Sequence, residues 1–322
     1  MFIHIAGTGS YLPEKVLSNA DLTKMLDTSD EWIMSHTGIQ SRHVVGDDEQ
    51  TSDMAYHAAV KALESANVKP EELGGIIVAT STGDYKGFPS VACLLQGRLG
   101  CKPICAFDVT AACAGCIYAI QAARALMQFD PRPFLVVGAE AMTRAMDYTD
   151  RNVCIIFGDG AGAVVLKASD EPGGIVGEVL GSDGSANPPV IFQSGGMKKV
   201  PGDPVGGKIH MNGRAVFNFA VKIFDEMIDT MLKKESLTYD DLALVISHQA
   251  NARIIEAVAR RVNQPLDKFF MNIATVGNTS AASMLIALDE AARAGKLKKG
   301  DWVASVAFGA GLAYGGLLFK MW

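Results

Sequence analysis

The chain has 322 residues, 49% apolar and 20% charged, the composition of a globular protein with a large core. With 29 basic against 35 acidic residues the net charge is −6, which excludes a general nucleic-acid binder, because neutralising phosphates needs a basic face. Six cysteines are too few to staple a secreted scaffold, and residues 1–7 carry neither a basic nor a sustained apolar leader, so a reducing cytoplasm is expected.

In chain order, an Ala-rich periodic segment predicts a helix over 52–67, followed by short apolar strands at 76–80 and 104–109. A helix over 113–128 comes next, then strands at 134–138, 154–157 and 163–167. Ser169-Asp170-Glu171-Pro172-Gly173-Gly174 breaks any regular element. In residues 181–207, 11 of 27 positions are Gly or Pro, a long irregular stretch of the kind that carries function. Helices follow over 212–234, 251–263 and 280–294, with strands at 243–247, 303–307 and 315–319. Residues 302–319 are uncharged and long enough to span a bilayer. Gly309, Gly311, Gly315 and Gly316 split them into strand, glycine loop and strand.

Several segments recur. Glu71-Glu72-Leu73-Gly74-Gly75-Ile76-Ile77-Val78-Ala79 resembles Asp240-Asp241-Leu242-Ala243-Leu244-Val245-Ile246-Ser247-His248, and Ala119–Ala125 resembles Ala287–Ala294, both at an offset of about 168 positions. Gly162–Lys167 resembles Gly315–Lys320 at a shorter offset. The order is the same each time, which predicts a duplicated α/β unit: residues 1–170 and 171–322, with sheets covered on both faces.

Cys101, Cys105, Cys113 and Cys116 fall close together, but their surroundings lack the Gly and polar residues of a zinc knuckle, and no metal is expected. Inert packing is the expectation for Cys93, Cys101, Cys105 and Cys154. Cys113 differs because it stands where a strand runs into an apolar helix. Free N–H groups and the positive end of the helix dipole there favour thiolate, and Ala111, Ala112, Ala114 and Gly115 leave room for a substrate. His248 follows an apolar strand, at the end where α/β sheets place their sites. Gly277-Asn278-Thr279-Ser280 occupies the turn that the duplication pairs with the turn of Cys113.

Thr110-Ala111-Ala112-Cys113-Ala114-Gly115, Ser247-His248-Gln249-Ala250-Asn251 and Gly277-Asn278-Thr279-Ser280-Ala281-Ala282-Ser283 strongly resemble the beta-ketoacyl-acyl-carrier-protein synthase III family. The likeness runs through Gly7-Thr8-Gly9-Ser10-Tyr11-Leu12-Pro13, Asp30-Glu31-Trp32-Ile33 and Phe157-Gly158-Asp159-Gly160-Ala161-Gly162. It implies a thiolase-like five-layered α-β-α-β-α fold, a cytoplasmic homodimer, and a catalytic set of Cys113, His248 and Asn278 without metal or organic cofactor. The implied reaction condenses an acyl-CoA starter with malonyl-acyl carrier protein through a Cys acyl-enzyme. It is a decarboxylative Claisen condensation that initiates fatty-acid synthesis. A specialised relative that makes quinolone or polyketide starter units, or acylates another nucleophile, is the alternative.

The resemblance also implies an oxyanion contact at the N–H of Ala310, and coenzyme A and acyl-pocket contacts at Trp32, Arg151, Phe157, Ile209, Gly213, Phe217 and Asn251. It gives Phe88 the place of a residue that crosses the dimer interface. Arg253, Arg260 and Arg261, on the helix with the apolar stripe Ile255, Val258, Ala259 and Val262, form the implied docking face for the acidic carrier protein. His36 departs from the usual arginine: it is shorter and lacks that fork's permanent charge. Cys116 stands where Phe is frequent.

Overall fold

The computed structural model describes residues 1–186, 189–198, 200 and 206–322, so part of the Gly/Pro-rich stretch at 181–207 lies outside the described residues. Up to residue 169 the chain forms β1 (Phe2–Tyr11), α1 (Asp30–Thr37), α2 (Thr51–Ala66), β2 (Gly75–Ala79), α3 (Val91–Leu99), β3 (Cys105–Val109), α4 (Gly115–Leu126), β4 (Phe134–Ala141) and β5 (Asp159–Ser169). Beyond it come β6 (Ile175–Ser182), β7 (Ile191–Gln193), β8 (Ile209–Met211), α5 (Gly213–Lys234), β9 (Leu242–Ser247), α6 (Ala252–Arg261), α7 (Ser283–Arg293), β10 (Trp302–Phe308) and β11 (Ala313–Lys320).

The first sheet has the order β1-β5-β4-β2-β3, antiparallel at its first two pairings and parallel at the next two. The second has the order β6-β11-β10-β9, with the same succession of senses. Its fifth place, beside β9, shrinks to one parallel bridge between Val245 and Phe269.

Alternation along the strands sorts side chains into separate cores. Ile76 and Val78 of β2 point to the cluster under α2, built on Ala55, Ala58, Ala59 and Ala62. Ile77 and Ala79 point the other way, to a central cluster shared by Ile117 and Ile120 of α4, Leu285 and Leu288 of α7, and Ile246, Val303 and Leu317 of the second sheet. Val245, Ala304 and Leu318 face outward again, to Phe224 and Ile228 of α5 and Ile255 and Val258 of α6. The result is five layers: helix, sheet, paired central helices, sheet, helices. It is the α/β, thiolase-like layering that the resemblance implies. Among the described residues no helix is long and apolar enough to cross a membrane.

Three expectations need correction. Residues 154–157 are not a strand: the Asp150 side chain accepts from the Asn152 N–H and closes one helical turn at Arg151–Cys154. Their apolar side chains are buried against Leu22, Ile33 and Met142, and burial alone does not distinguish a turn from a strand. The helices expected from 113 and 280 both start late, because a 3₁₀ turn (Ala112–Ala114 and Ser280–Ala282) precedes α4 and α7. No expectation covered β1, whose apolar pattern is interrupted by Gly7 and Gly9.

Candidate active site

The two 3₁₀ turns meet in the middle of the molecule. A Cβ on Gly138 of β4 would lie 2.4 Å from the Ala281 carbonyl oxygen, so only glycine lets the first sheet approach the second turn this closely. Ala112 (φ 46°) and Ser280 (φ 50°) hold equivalent places in the two turns, both in the left-handed region that side chains avoid. The turns correspond as the repeat predicts, but in detail the residue opposite Cys113 is Ala281, not Asn278.

Asn278 is fixed by its backbone. Its N–H donates to the Ile156 carbonyl and its own carbonyl accepts from the Gly158 N–H, each at 3.0 Å. Its Oδ1 accepts from the Ser280 N–H at 2.8 Å, which leaves the Nδ2 donor for the space in front of it. His248 follows β9, is 2% exposed, and donates its backbone N–H to Val306 at 2.8 Å. Its Nδ1 lies 2.5 Å from Ser283 Oγ, and Phe308 meets the ring edge-on at 5.5 Å. Ser283 Oγ already accepts from the Gln249 N–H at 3.2 Å. When the serine donates its own proton to Nδ1, the imidazole proton sits on Nε2.

Cys113, His248 and Asn278 line one cavity of about 170 Å³. Ala310, Phe157, Ile209, Gly213, Phe217 and Asn251 line it too, together with Met142, Ile191, Phe192, Met211 and Phe308. The walls are mostly apolar with a few convergent polar groups, as small-molecule sites are.

Burial dominates the electrostatics. It pushes the Cys113 thiol up to about 12, against the hydrogen bond that Sγ makes to Ser280 Oγ at 3.5 Å, and the nearby Glu140 carboxylate raises it further. Burial thus works against the thiolate that the helix terminus is expected to favour at this half-buried residue. Burial likewise holds His248 neutral, lowered to about 3. Glu140, fully buried at the end of β4, is raised by the same cause.

The remaining expected contacts lie elsewhere. Trp32 packs against the buried cluster of Leu22, Ile33 and Met142, as Ile209 and Met211 of the cavity wall also do. Its ring stacks with His36 at 4.2 Å, and the Arg151 guanidinium sits 5.0 Å from its centroid. His36 Nδ1 donates to the Trp32 carbonyl at 2.7 Å, so the residue that departs from arginine is tied back onto its own helix. Phe88 is 86% exposed and touches none of the cavity. Arg253 pairs with Glu256 and Arg261 with Asp225, while Arg260 is exposed at the end of α6. Cys93 and Cys105 are exposed rather than packed, Cys101 is half-buried, and Cys154 and Cys116 are buried. Among the described residues no His, Cys, Asp or Glu cluster could hold a metal ion.

Sequence reasoning gave no role to Glu140, Ser280 or Ser283. One signal was available: a lone carboxylate inside Phe-Leu-Val-Val-Gly-Ala-Glu-Ala, an otherwise wholly apolar buried strand.

Gly309 sets the spacing on the far side of the nucleophile. A Cβ there would come within 2.8 Å of the Cys113 nitrogen and 3.0 Å of its Cβ. Gly309→Ala is expected to displace Cys113 and slow acyl transfer about 10²-fold, the typical cost of a 1 Å misplacement. Steady-state kinetics alongside thermal melting check this; an unchanged kcat/KM would show that the loop gives way.

The descriptions 3-oxoacyl-[acyl-carrier-protein (ACP)] synthase III and its C-terminal counterpart match residues 107–184 and 232–321. The chain is 48% identical to the beta-ketoacyl-[acyl-carrier-protein] synthase III of Xanthomonas campestris, over 99% of this chain and 98% of that one. It superposes on the crystal structure of 3-oxoacyl-[acyl-carrier-protein] synthase III from Aquifex aeolicus with a TM-score of 0.92 and 43% identity, covering 99% of both chains. It also superposes on the priming beta-ketosynthase of the R1128 polyketide pathway with a TM-score of 0.93 and 35% identity, over 99% of this chain and 96% of that one. With its five-layered fold and end-to-end likeness to these relatives, the chain belongs to the beta-ketoacyl-acyl-carrier-protein synthase III family of condensing enzymes.

Proposed function

We propose that the chain joins an acyl-CoA starter to malonyl-acyl carrier protein and so initiates fatty-acid synthesis, with Cys113 as the nucleophile. The convergence of Cys113, His248 and Asn278 on one apolar cavity carries this reading. Cys113 Sγ attacks the thioester carbonyl, coenzyme A leaves, and an acyl-enzyme forms. Backbone N–H groups of Cys113 and Ala310 hold the oxyanion. Malonyl thioester then enters and loses carbon dioxide. His248 Nε2–H and Asn278 Nδ2–H donate to its thioester oxygen as enolate charge develops, and the carbanion attacks the acyl group to give a 3-oxoacyl product. Both donors are free to do so because Ser283 and Ser280 occupy the opposite ends of the two side chains.

Trp32, Arg151 and Asn251 take the coenzyme A end in this reading, and Phe157, Ile209, Gly213 and Phe217 the pantetheine and acyl portions. The exposed faces of Arg253, Arg260 and Arg261 receive the acidic carrier protein. A homodimer is part of the proposal. It is supported by β3, an edge strand that pairs with no other strand on its outer side among the described residues, and by the exposed Phe88 and Tyr85. We read residues 1–170 as the half that carries Cys113 and 171–322 as the half that carries His248 and Asn278. A cytoplasmic setting suits the six free thiols.

The test is a panel of acyl-CoA species, intact-mass detection of the adduct, then addition of malonyl-acyl carrier protein. A Cys113 adduct that becomes a 3-oxoacyl product is expected. An adduct that forms but passes only to a hydroxyl or amine acceptor would favour the specialised relative, and no adduct with any donor would overturn the reading.

A further inference from the structure

A thiol must lose its proton before it can attack, and burial, which pushes the Cys113 thiol up, opposes that loss. His248 is poorly placed to take the proton. Burial holds it far below its ordinary range, and its Nδ1 is engaged with Ser283. Cys113 Sγ instead donates to Ser280 Oγ, at 3.5 Å. The Ser280 hydroxyl donates in turn to Glu140 Oε1 at 3.1 Å.

Among the described residues no cation pairs with Glu140. Its other oxygen accepts from Thr82 Oγ1 at 2.5 Å, the Ser81 N–H at 3.0 Å and Thr80 Oγ1 at 3.4 Å. These donors steady a negative charge, while burial raises the group toward its acid form. A carboxylate held between those tendencies is suited to taking up a proton. The titratable groups facing this chain are Cys116 from the nucleophile's own helix, Glu140 from β4 and His248 from the loop after β9. The loops at 80–82 and 309–312 add none.

We propose that Ser280 relays the Cys113 proton to Glu140 during acylation. This rests on the reading of Cys113 as the acyl-accepting nucleophile. The thiol proton passes to Ser280 Oγ as the Ser280 proton passes to Glu140 Oε1, leaving a thiolate and a neutral carboxyl. Sγ then bonds to the thioester carbon, the bond from that carbon to the coenzyme A sulfur breaks with its electron pair, and the proton returns through Ser280 to the departing sulfur. Protons and charge balance without an outside reagent. The left-handed backbone at Ser280 is the local strain that holds its hydroxyl between sulfur and carboxylate. Its counterpart in the other turn, Ala112, has no hydroxyl, so the duplicated turns differ at the one atom the relay needs.

Quenched-flow mass spectrometry of acyl-Cys113 formation between pH 6 and 9 tests this in wild type, Glu140→Gln and Ser280→Ala, with thermal melting of each. Both variants are expected to acylate about 10²-fold or more slowly at pH 7, within the usual range for general-base assistance. The deficit should shrink as pH rises and hydroxide replaces the relay, and acylation should suffer more than decarboxylation. Ser280→Ala leaves the other three donors to Glu140 in place, so it carries the test if Glu140→Gln fails to fold. Variant rates equal to wild type, or a deficit that does not change with pH, would overturn the relay. Failure of wild type itself to acylate Cys113 would instead overturn the nucleophile assignment beneath it.

Discussion

Replacing Cys113 by serine or alanine is expected to abolish the acyl-enzyme and with it the condensation, a loss on the order of 10⁵ or more for a nucleophile in a set that acts as a unit. Alanine has no lone pair to offer. Serine's hydroxyl, buried in the same apolar cavity, ionises even less readily than the thiol. The structure dictates how this is measured. Cys93 and Cys105 are exposed, so a small alkylating reagent reaches them as well as the cavity. Peptide mapping of the acyl adduct from acyl-CoA is the discriminating assay: a mass shift that persists in Cys113→Ala, or one that maps to Cys116 or Cys105, would sink the assignment.

His248→Ala and Asn278→Ala are expected to separate the two stages. Each variant should still load an acyl group on Cys113 yet lose about 10²–10³ in the decarboxylation of malonyl thioester, the usual cost of one oxyanion donor. Isotopic carbon dioxide release from pre-acylated enzyme measures it, and release at the wild-type rate would refute the division of labour. Because burial keeps His248 neutral down to about 3, its contribution should be flat between pH 5 and 8. The same burial acts on stability. An unfolded imidazole takes up a proton below about 6.5, the folded one does not, and so the folded state loses stability as pH falls through that value.

The helices over 52–67 and 212–234 and most of the buried strands were legible because their periodicity is undisturbed. Cys113 and His248 stood out because each follows an apolar strand, and Asn278 because the duplication pairs its turn with that of Cys113; their joint role is what the family resemblance implies. Residues 154–157 misled, since a mostly buried apolar run at the end of a capped turn reads like a strand. At Cys113 the sequence shows the helix terminus but not the burial that opposes it, because that burial is set by the opposite turn, some 168 positions away. Glu140, Ser280 and Ser283 were illegible as a group because their hydrogen bonds join segments far apart in the chain.

The walls of the cavity differ in how much change they can absorb. Cys113 and Asn278 stand at the entrances to the two central helices, and in α7 every residue from Ser283 to Asp289 is buried. Ile191, Phe192, Ile209, Met211 and Phe217 form the opposite wall, on short strands and a helix start that stay half-exposed. A substitution in the central layer must be accommodated by two sheets at once, whereas one in the outer wall has solvent on its far side to relax into. Efforts to widen or narrow the range of starter groups accepted therefore have one economical target, the wall of Ile191, Phe192, Ile209, Met211 and Phe217, where shape can be altered while the reacting atoms keep their places.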